Sequence, residues 1–339
     1  MKKAISIIGA SGYSGAELLK ILLHHPDVEV TNVFANSSAG KRVDVLYPHF
    51  RSRTQLVYQE YDITKVKNDD LVFIALPSGE AMKYVPALID AGKRVIDLGG
   101  DFRLHDAQLY TKYYRHEHTS AQYLAKAVYG LPEWNKKNIQ SAQLVANPGC
   151  YVTSALLPLL PLVKEKLIHA NGIVINSLSG VSGAGRSASV ELSFTESNES
   201  VKAYKVGVHQ HTPEIETILN DFGGSESTVT FIPHLIPITR GIYSTIIVTP
   251  NGTLLPEQID AVYKKHYGHS PFVRLIEGLA PEIKHVQYTN FCDISWKMYE
   301  RNGQIILHSV IDNLVKGAAG QAVQNMNLMF GIAETEGLI

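Results

Sequence analysis

The sequence predicts an α/β protein in two parts: a parallel sheet layered with helices, then an α+β part whose sheet is mostly antiparallel. Three observations carry that expectation. Short apolar runs alternate with amphipathic stretches through residues 4–100, a glycine turn joins the first run to the first periodic stretch, and beyond Cys150 strand-like runs follow one another closely. The run Ala4-Ile5-Ser6-Ile7-Ile8 stops at Gly9, before the periodic AELLKILLHHP (16–26), which reads as strand, turn and helix. VEVTNVFA (28–35) and LVFIALP (71–77) are further strands, MKYVPALIDAG (82–92) is a helix, and KRVIDLGG (93–100) is a strand. Strands alternating with helices at this pitch are parallel, because parallel neighbours need a crossover. Residues 101–145 are polar, rich in Tyr and His, and read mainly as loop around the turn-like YGLPEWN (129–135). TSALLPLLPLVKEKL (153–167) then suggests a long helix, and GIVINSLSGV (172–181), TVTFIPHLIPI (228–238), IYSTIIVTP (242–250) and QIILHSVID (304–312) suggest strands. Helical periodicity returns in NLVKGAAGQAVQNMNLMFG (313–331), which is expected to pack back on the first domain. The expected domains are 1–149 with 313–339, and 150–312.

The 339 residues suffice for two cores without disulfide staples. Lys+Arg total 31 against Asp+Glu 32, so the net charge is -1, and no basic block offers the footprint of a nucleic-acid binder. A small-molecule partner is expected instead. The two cysteines, Cys150 and Cys292, make neither a disulfide framework nor a metal-ligand pair, and their scarcity fits a reducing cytoplasm. Glycines interrupt the first apolar run too early for a signal peptide, and no apolar stretch approaches the roughly 20 residues of a membrane span. A soluble, cytoplasmic protein is expected.

The turn Gly9-Ala10-Ser11-Gly12-Tyr13-Ser14-Gly15 has the spacing GxxGxxG. Small residues between a strand and a helix let the backbone approach a pyrophosphate, and the helix start offers unpaired N–H groups and partial positive charge. That is the design of a Rossmann-type nucleotide domain; a tight βα turn with no ligand is the bland alternative. The second strand runs into Asn36-Ser37-Ser38-Ala39-Gly40-Lys41-Arg42, with no Asp or Glu to hold a ribose 2′-hydroxyl. The two hydroxyls of Ser37 and Ser38 and the two cations Lys41 and Arg42 suit a 2′-phosphate, so NADP(H) is the expected cofactor, unless Lys41 and Arg42 are merely a solvated loop.

Asn147-Pro148-Gly149-Cys150 closes an apolar strand and opens a helix. A helix start lowers a thiol pKa and favours a thiolate nucleophile. Cys292, inside YTNFCDISW (288–296), fits an inert buried cysteine. A nicotinamide beside a thiolate suggests thioester formation followed by reduction to an aldehyde, with histidine as the acid/base. Among 14 histidines, His209 and His211 in HQHTPE (209–214) stand apart. Their i, i+2 spacing puts both on one side of an extended segment that leads into a Pro-started helix. A metal pair is the rival reading, but it lacks a convincing third ligand, so no metal is expected.

Together with DLGGDFRL (97–104), SGVSGAGR (179–186) and PHLIPITRGIYST (233–245), the motifs GASGYSGAELL (9–19), YGLPEWN, NPGCY (147–151) and HQHTPEI (209–215) occur in one order along the chain. In that order they resemble the aspartate-semialdehyde dehydrogenase and glyceraldehyde-phosphate dehydrogenase-like group, and within it the N-acetyl-gamma-glutamyl-phosphate reductase family of arginine biosynthesis. The resemblance implies Cys150 as nucleophile and a histidine of the HxHxPE motif as acid/base, His211 preferred over His209, with Glu214 orienting it. It implies Arg103 at the acyl phosphate, and Arg186 and Arg240 at the substrate α-carboxylate unless they form ion pairs. Gly183 and Gly185 would let the backbone approach cofactor or substrate, and Asn313 and Gly317 would approach the nicotinamide as the chain returns to the first domain. Two departures are Gly99-Gly100, where Ser-Ala is expected, and Gln210, where Arg is frequent. The implied reaction is NADPH-dependent reduction of N-acetyl-L-glutamyl 5-phosphate to the semialdehyde, releasing phosphate, by a homo-oligomer, dimer or tetramer. Another acyl phosphate as substrate, a non-catalytic NADP-binding sensor, and a cofactor-free thiol hydrolase remain as alternatives.

Overall fold

A strand that is apolar at every position needs cover on both faces, and the N-terminal strands have it. In the computed structural model, which describes residues 2–339, β1 (Lys3–Ile8), β2 (Val28–Phe34), β3 (Leu71–Ile74), β4 (Arg94–Asp97), β5 (Ala127–Tyr129) and β6 (Leu144–Ala146) form one sheet. Its order is β2-β1-β3-β4-β6-β5, and every pair is parallel. Ile5, Ile7, Phe73, Ile96 and Val145 point into one core with Leu18 and Leu22 of α1 (Tyr13–Leu22), whereas Ile8, Val72, Ile74, Val95 and Leu144 point into the other. Alternation therefore serves two buried faces, which is why these runs read as continuously apolar. Because β1 has β2 on one side and β3 on the other, the turn at Gly9 sits where the strand order reverses, the position at which such sheets bind ligands.

Residues 101–145 are more regular than expected. They include β5, the helix Ala107–Tyr114 and α2 (Pro132–Ser141). Asp106 caps the former by accepting from Gln108 N at 2.7 Å, and Tyr110 and Tyr114, four residues apart, stack at 4.5 Å as its buried stripe. Tyrosine that looks polar in sequence is here the apolar face. The C-terminal helix Gly320–Phe330 is buried all round despite its amides, several of which bond outside the helix: Asn325 Nδ2 donates to Gly130 O at 2.8 Å, and Asn327 Oδ1 meets His25 Nε2 at 3.0 Å.

The second sheet is built from β7 (Ile173–Gly180), β8 (Lys202–Ala203), β9 (Val229–Ile236), β10 (Ile242–Val248), β11 (Val273–Leu275), β12 (Cys292–Tyr299) and β13 (Gln304–Ile311), in the order β11-β12-β13-β10-β7-β9-β8. Only β7 with β9 and β11 with β12 are parallel. The β7-to-β9 connection carries a helix, α4 (His211–Gly223), as a parallel crossover requires. A strand at 292–299 was not foreseen, because four successive buried residues, Cys292–Ser295 by position, show no alternation. The helix α3 (Cys150–Lys164) lies on one face, where Ser154 Oγ donates to Ser244 Oγ at 2.8 Å.

The chain divides into two compact units, Met1–Pro148 with Ala318–Ile339, and Gly149–Gly317. The segment 313–317 thus belongs to the second unit, not, as expected, to the first. Its own bonds hold it there: Asn313 Oδ1 accepts from Gly241 N at 2.7 Å and Gly317 N donates to Asp312 O at 2.9 Å.

Prolines inside α3 leave helix carbonyls without donors. Pro161 has no N–H for Leu157 O, and Tyr267 Oη donates to that carbonyl instead, at 2.5 Å. Tyr267→Phe is expected to cost about 1–3 kcal/mol by stranding a buried carbonyl, read as a lower urea midpoint with unchanged slope.

Candidate active site

Cys150 is the first residue of α3 and half-buried. Gly149 before it has no side chain to cap the helix; its N–H donates to Glu214 Oε1 at 2.8 Å. A Cβ on Gly149 would stand 2.4 Å from His211 Nε2, so only glycine fits, and the imidazole lies directly against the residue that precedes the thiol. The first turn of α4 therefore brings His211 and Glu214 to the start of α3. Glu214 is wholly buried, and a peptide N–H supplies one of the hydrogen bonds its charge needs there.

His209 plays a different part. Its Nδ1 accepts from His211 N at 3.1 Å, and its ring is packed by Tyr204, Phe231 and Tyr151, with centroids at 5.5, 5.3 and 5.8 Å. Burial first, then His211 and Lys205, push its pKa down to about 2, so it is a neutral acceptor. The expected extended segment is absent. Gln210 is helical (φ -62°, ψ -17°), because the helix begins at His211, and the two imidazoles face each other edge-on at 4.7 Å. Tyr151, the last residue of NPGCY but given no role there, and Tyr204, which lies in no motif, complete this wall. Tyr151 Oη donates to His234 O and accepts from Tyr204 Oη, both at 3.1 Å, and burial drives both phenols well above the ordinary tyrosine range.

Of the expected substrate arginines in this unit, Arg186 is exposed, just beyond Gly185 (φ 86°), and Gly183 is exposed beside it. Arg240 is buried: Nε lies 3.3 Å from Asp312 Oδ2 and the guanidinium is 4.6 Å over the Tyr288 ring. Asp312 also accepts from Tyr288 N and Leu314 N, at 2.7 and 2.8 Å. Asn313 Nδ2 donates to Ser182 Oγ at 3.0 Å. A Cβ on Gly317 would fall 2.8 Å from Cys150 Cβ, so the segment closes on Cys150 itself.

In the first unit, Gly9 (φ 86°) begins the turn, and a Cβ there would lie 2.3 Å from Ala75 O. Gly15 packs so closely that its Cβ would be 2.4 Å from Gly9 O. The N-cap of α1, Gly12, offers no capping side chain, and Ser11, Tyr13 and Ser14 line the approach. This cradle of small residues before an uncapped ten-residue helix fits a pyrophosphate. Past β2, Ser37 and Lys41 are exposed and Ser38 is buried. Arg42 is bound by both oxygens of Asp44, at 2.9 and 2.7 Å. Arg103 is buried, donating from Nε to Asn147 O and from Nη2 to Leu98 O, each at 2.8 Å. Among the described residues no three His, Cys, Asp or Glu side chains gather as a metal-ligand set.

Two family models match in chain order: the semialdehyde dehydrogenase NAD binding domain over residues 4–142, and the semialdehyde dehydrogenase dimerisation domain over 150–313. The chain belongs to the semialdehyde dehydrogenase family. Its relatives include the N-acetyl-gamma-glutamyl-phosphate reductases of Pelotomaculum thermopropionicum, 49% identical over 100% of this chain and 98% of that protein, and of Geobacillus kaustophilus, 48% identical over 98% and 97%. Among solved structures, aspartate semialdehyde dehydrogenase II from Vibrio cholerae superposes with a TM-score of 0.75 at 18% identity, covering 98% of this chain and 99% of that one. Aspartate semialdehyde dehydrogenase with NADP from Candida albicans gives 0.72 at 16% identity, covering 97% and 99%. The glycine turn lies in the span of the NAD binding model, and Cys150, His209, His211, Glu214, Arg240 and Asn313 in that of the dimerisation model. Among the described residues no helix is long and apolar enough to cross a membrane.

The depressed pKa of His209 has a definite sign in stability. Below about pH 6.5 the unfolded chain takes up a proton that the folded chain refuses, so this contribution is whole above that pH and is lost as the pH falls toward 2. His209→Asn, which keeps an acceptor for His211 N, is expected to flatten the stability-against-pH slope by about 1.4 kcal/mol per pH unit between about pH 6 and 4, measured by urea unfolding.

Proposed function

We propose that this chain reduces N-acetyl-L-glutamyl 5-phosphate with NADPH to N-acetyl-L-glutamate 5-semialdehyde and phosphate, in the cytoplasm and in arginine biosynthesis. The observation that carries the reading is the half-buried thiol at a helix start, with the His211 imidazole against the preceding glycine. Full-length relatives of that name support it.

The partial positive charge at the start of α3 favours the Cys150 thiolate. Its attack on the acyl carbon expels phosphate, which leaves readily, and gives a thioester. When bound, NADPH would supply the hydride that reduces the thioester. His211, through Nε2, gives its proton to the oxygen at the reacting carbon and takes it back as the C–S bond breaks, which frees the aldehyde and returns Cys150 as the thiolate. His209 stays neutral throughout and holds the His211 backbone. Glu214 fixes the Gly149 peptide and with it the direction of the thiol. We assign the substrate α-carboxylate to Arg186, the exposed arginine of the pair, and to Arg240 a supporting place beside Asp312. Arg103 would meet phosphate only with donors beyond Nε and Nη2, which hold backbone.

Gly9 to Gly15 would hold the pyrophosphate, and Ser37, Ser38 and Lys41 the 2′-phosphate. With Arg42 taken up by Asp44, Lys41 is the cation left for that task. The enzyme would act as a homo-oligomer: along β10 the residues Tyr243, Thr245 and Ile247 are half-buried on the sheet face away from α3, a surface suited to a second copy.

Cys150→Ser is expected to lower kcat about a thousandfold or more, since a serine hydroxyl is poorly ionised. Ordinary turnover by that variant would refute the covalent route. Comparison of kcat/KM on N-acetylglutamyl phosphate and aspartyl phosphate tests the substrate, and equal values would sink the assignment. His211→Asn should abolish the neutral-pH limb of the kcat profile, while His209→Asn leaves its midpoint in place.

A further inference from the structure

The backbone passes between the two units twice, at Pro148–Gly149 and at Gly317–Ala318. Asn147 stands just before the first crossing and is 1% exposed. All its polar groups are used within the first unit. Its N–H donates to Asp97 O at 2.8 Å and its carbonyl accepts from Arg103 Nε at 2.8 Å, bonds that any residue there would make. Its side chain does what only an amide can: Oδ1 accepts from Asn325 Nδ2 at 3.0 Å, and Nδ2 donates to Ala318 O at 3.2 Å. Asn325 is wholly buried and so close to Gly130 that a Cβ there would lie 2.6 Å from its Nδ2, so the acceptor side is fixed.

The donor side therefore ties the second crossing to the first. Within the second unit the same two strands of chain meet again, with Gly317 under Cys150: a Cβ on Gly317 would reach within 2.8 Å of Cys150 Cβ and 3.2 Å of its Cα. Each crossing contains a glycine, Gly149 or Gly317, which gives the backbone its widest torsional freedom. We infer that Asn147 is a positioning residue for the reaction: by holding the Ala318 carbonyl it keeps Gly317 seated against Cys150 and the thiol in one orientation. The inference rests on Cys150 being the nucleophile of the proposed reaction.

Asn147→Asp keeps the shape and the Oδ1 acceptor but turns an oxygen on Ala318 O; Asn147→Leu removes the side-chain bonds without adding charge. Both are expected to lower kcat by about 10- to 100-fold, as a displacement of about 1 Å at a reacting group does, while KM for NADPH stays within about twofold. Both should slow Cys150 alkylation by iodoacetamide at least about fivefold, and in the uncharged Leu variant the pH midpoint of alkylation should also move. Wild-type kcat and alkylation in a folded Asn147→Leu enzyme would overturn the inference, as would a loss of thermal stability with both unchanged. Should neither variant fold, Gly317→Ala presses on the thiol from the other side and must slow alkylation likewise; normal alkylation there overturns it. Alkylation requires no substrate. An enzyme that leaves N-acetylglutamyl phosphate unreduced but shows the altered alkylation loses the substrate assignment and keeps this one.

Discussion

Everything in the second unit turns on a close approach between two helix starts. Gly149, at the head of α3, is so near the imidazole at the head of α4 that no side chain fits between them. Helix starts carry unpaired N–H groups and partial positive charge, so bringing two together is unfavourable unless an anion lies between. Glu214 is that anion: buried, four positions past Gln210, and bonded to the Gly149 N–H. The carboxylate stabilises the pairing of the two helix starts, and the cost of burying it is offset by the peptide dipoles around it.

The neutral state of His209 follows from the same crowding. A second charge beside Glu214 and the two helix starts would need a solvent route that the Tyr151, Tyr204 and Phe231 rings close off. The site therefore divides two like residues by environment, one imidazole packed among aromatic rings and the other against the backbone of the turn before Cys150. Their spacing in sequence gives no hint of this, since it is produced by where α4 begins.

Much of the fold was legible because it depends on local pattern. The continuous apolar runs at β1, β3 and β4 marked a sheet covered on both faces, and the glycines at 9, 12 and 15 marked its first turn. Cys150 was legible for the same reason: Pro148 and Gly149 break the strand and open a helix at one place. What escaped depends on partners distant in sequence. Tyr110 and Tyr114 became an apolar stripe only through stacking and packing, Cys292–Ser295 by position joined a strand only because both faces are covered, and Tyr204 meets Tyr151 across 53 positions. Arg103 and Arg240 illustrate the same limit for charge. Their motifs suggested anionic ligands, yet the structure shows Arg103 holding Asn147 O and Leu98 O, and Arg240 beside Asp312, a division that composition cannot reveal.

The first unit repeats the principle with two carboxyls. Asp101 accepts from Gly79 N at 2.6 Å and from Tyr110 Oη at 2.8 Å. Asp97, at the end of β4, receives Gly99 N on Oδ1 at 2.8 Å and has no hydrogen-bond partner on its buried Oδ2. Burial, with the Asp101 charge added, pushes the Asp97 carboxyl up to about 7, although Gly99 N and Arg103 oppose the shift. Arg103, whose charge opposes that shift, is turned to the carbonyls of Leu98 and Asn147, where it clamps the strand end that leads to Pro148.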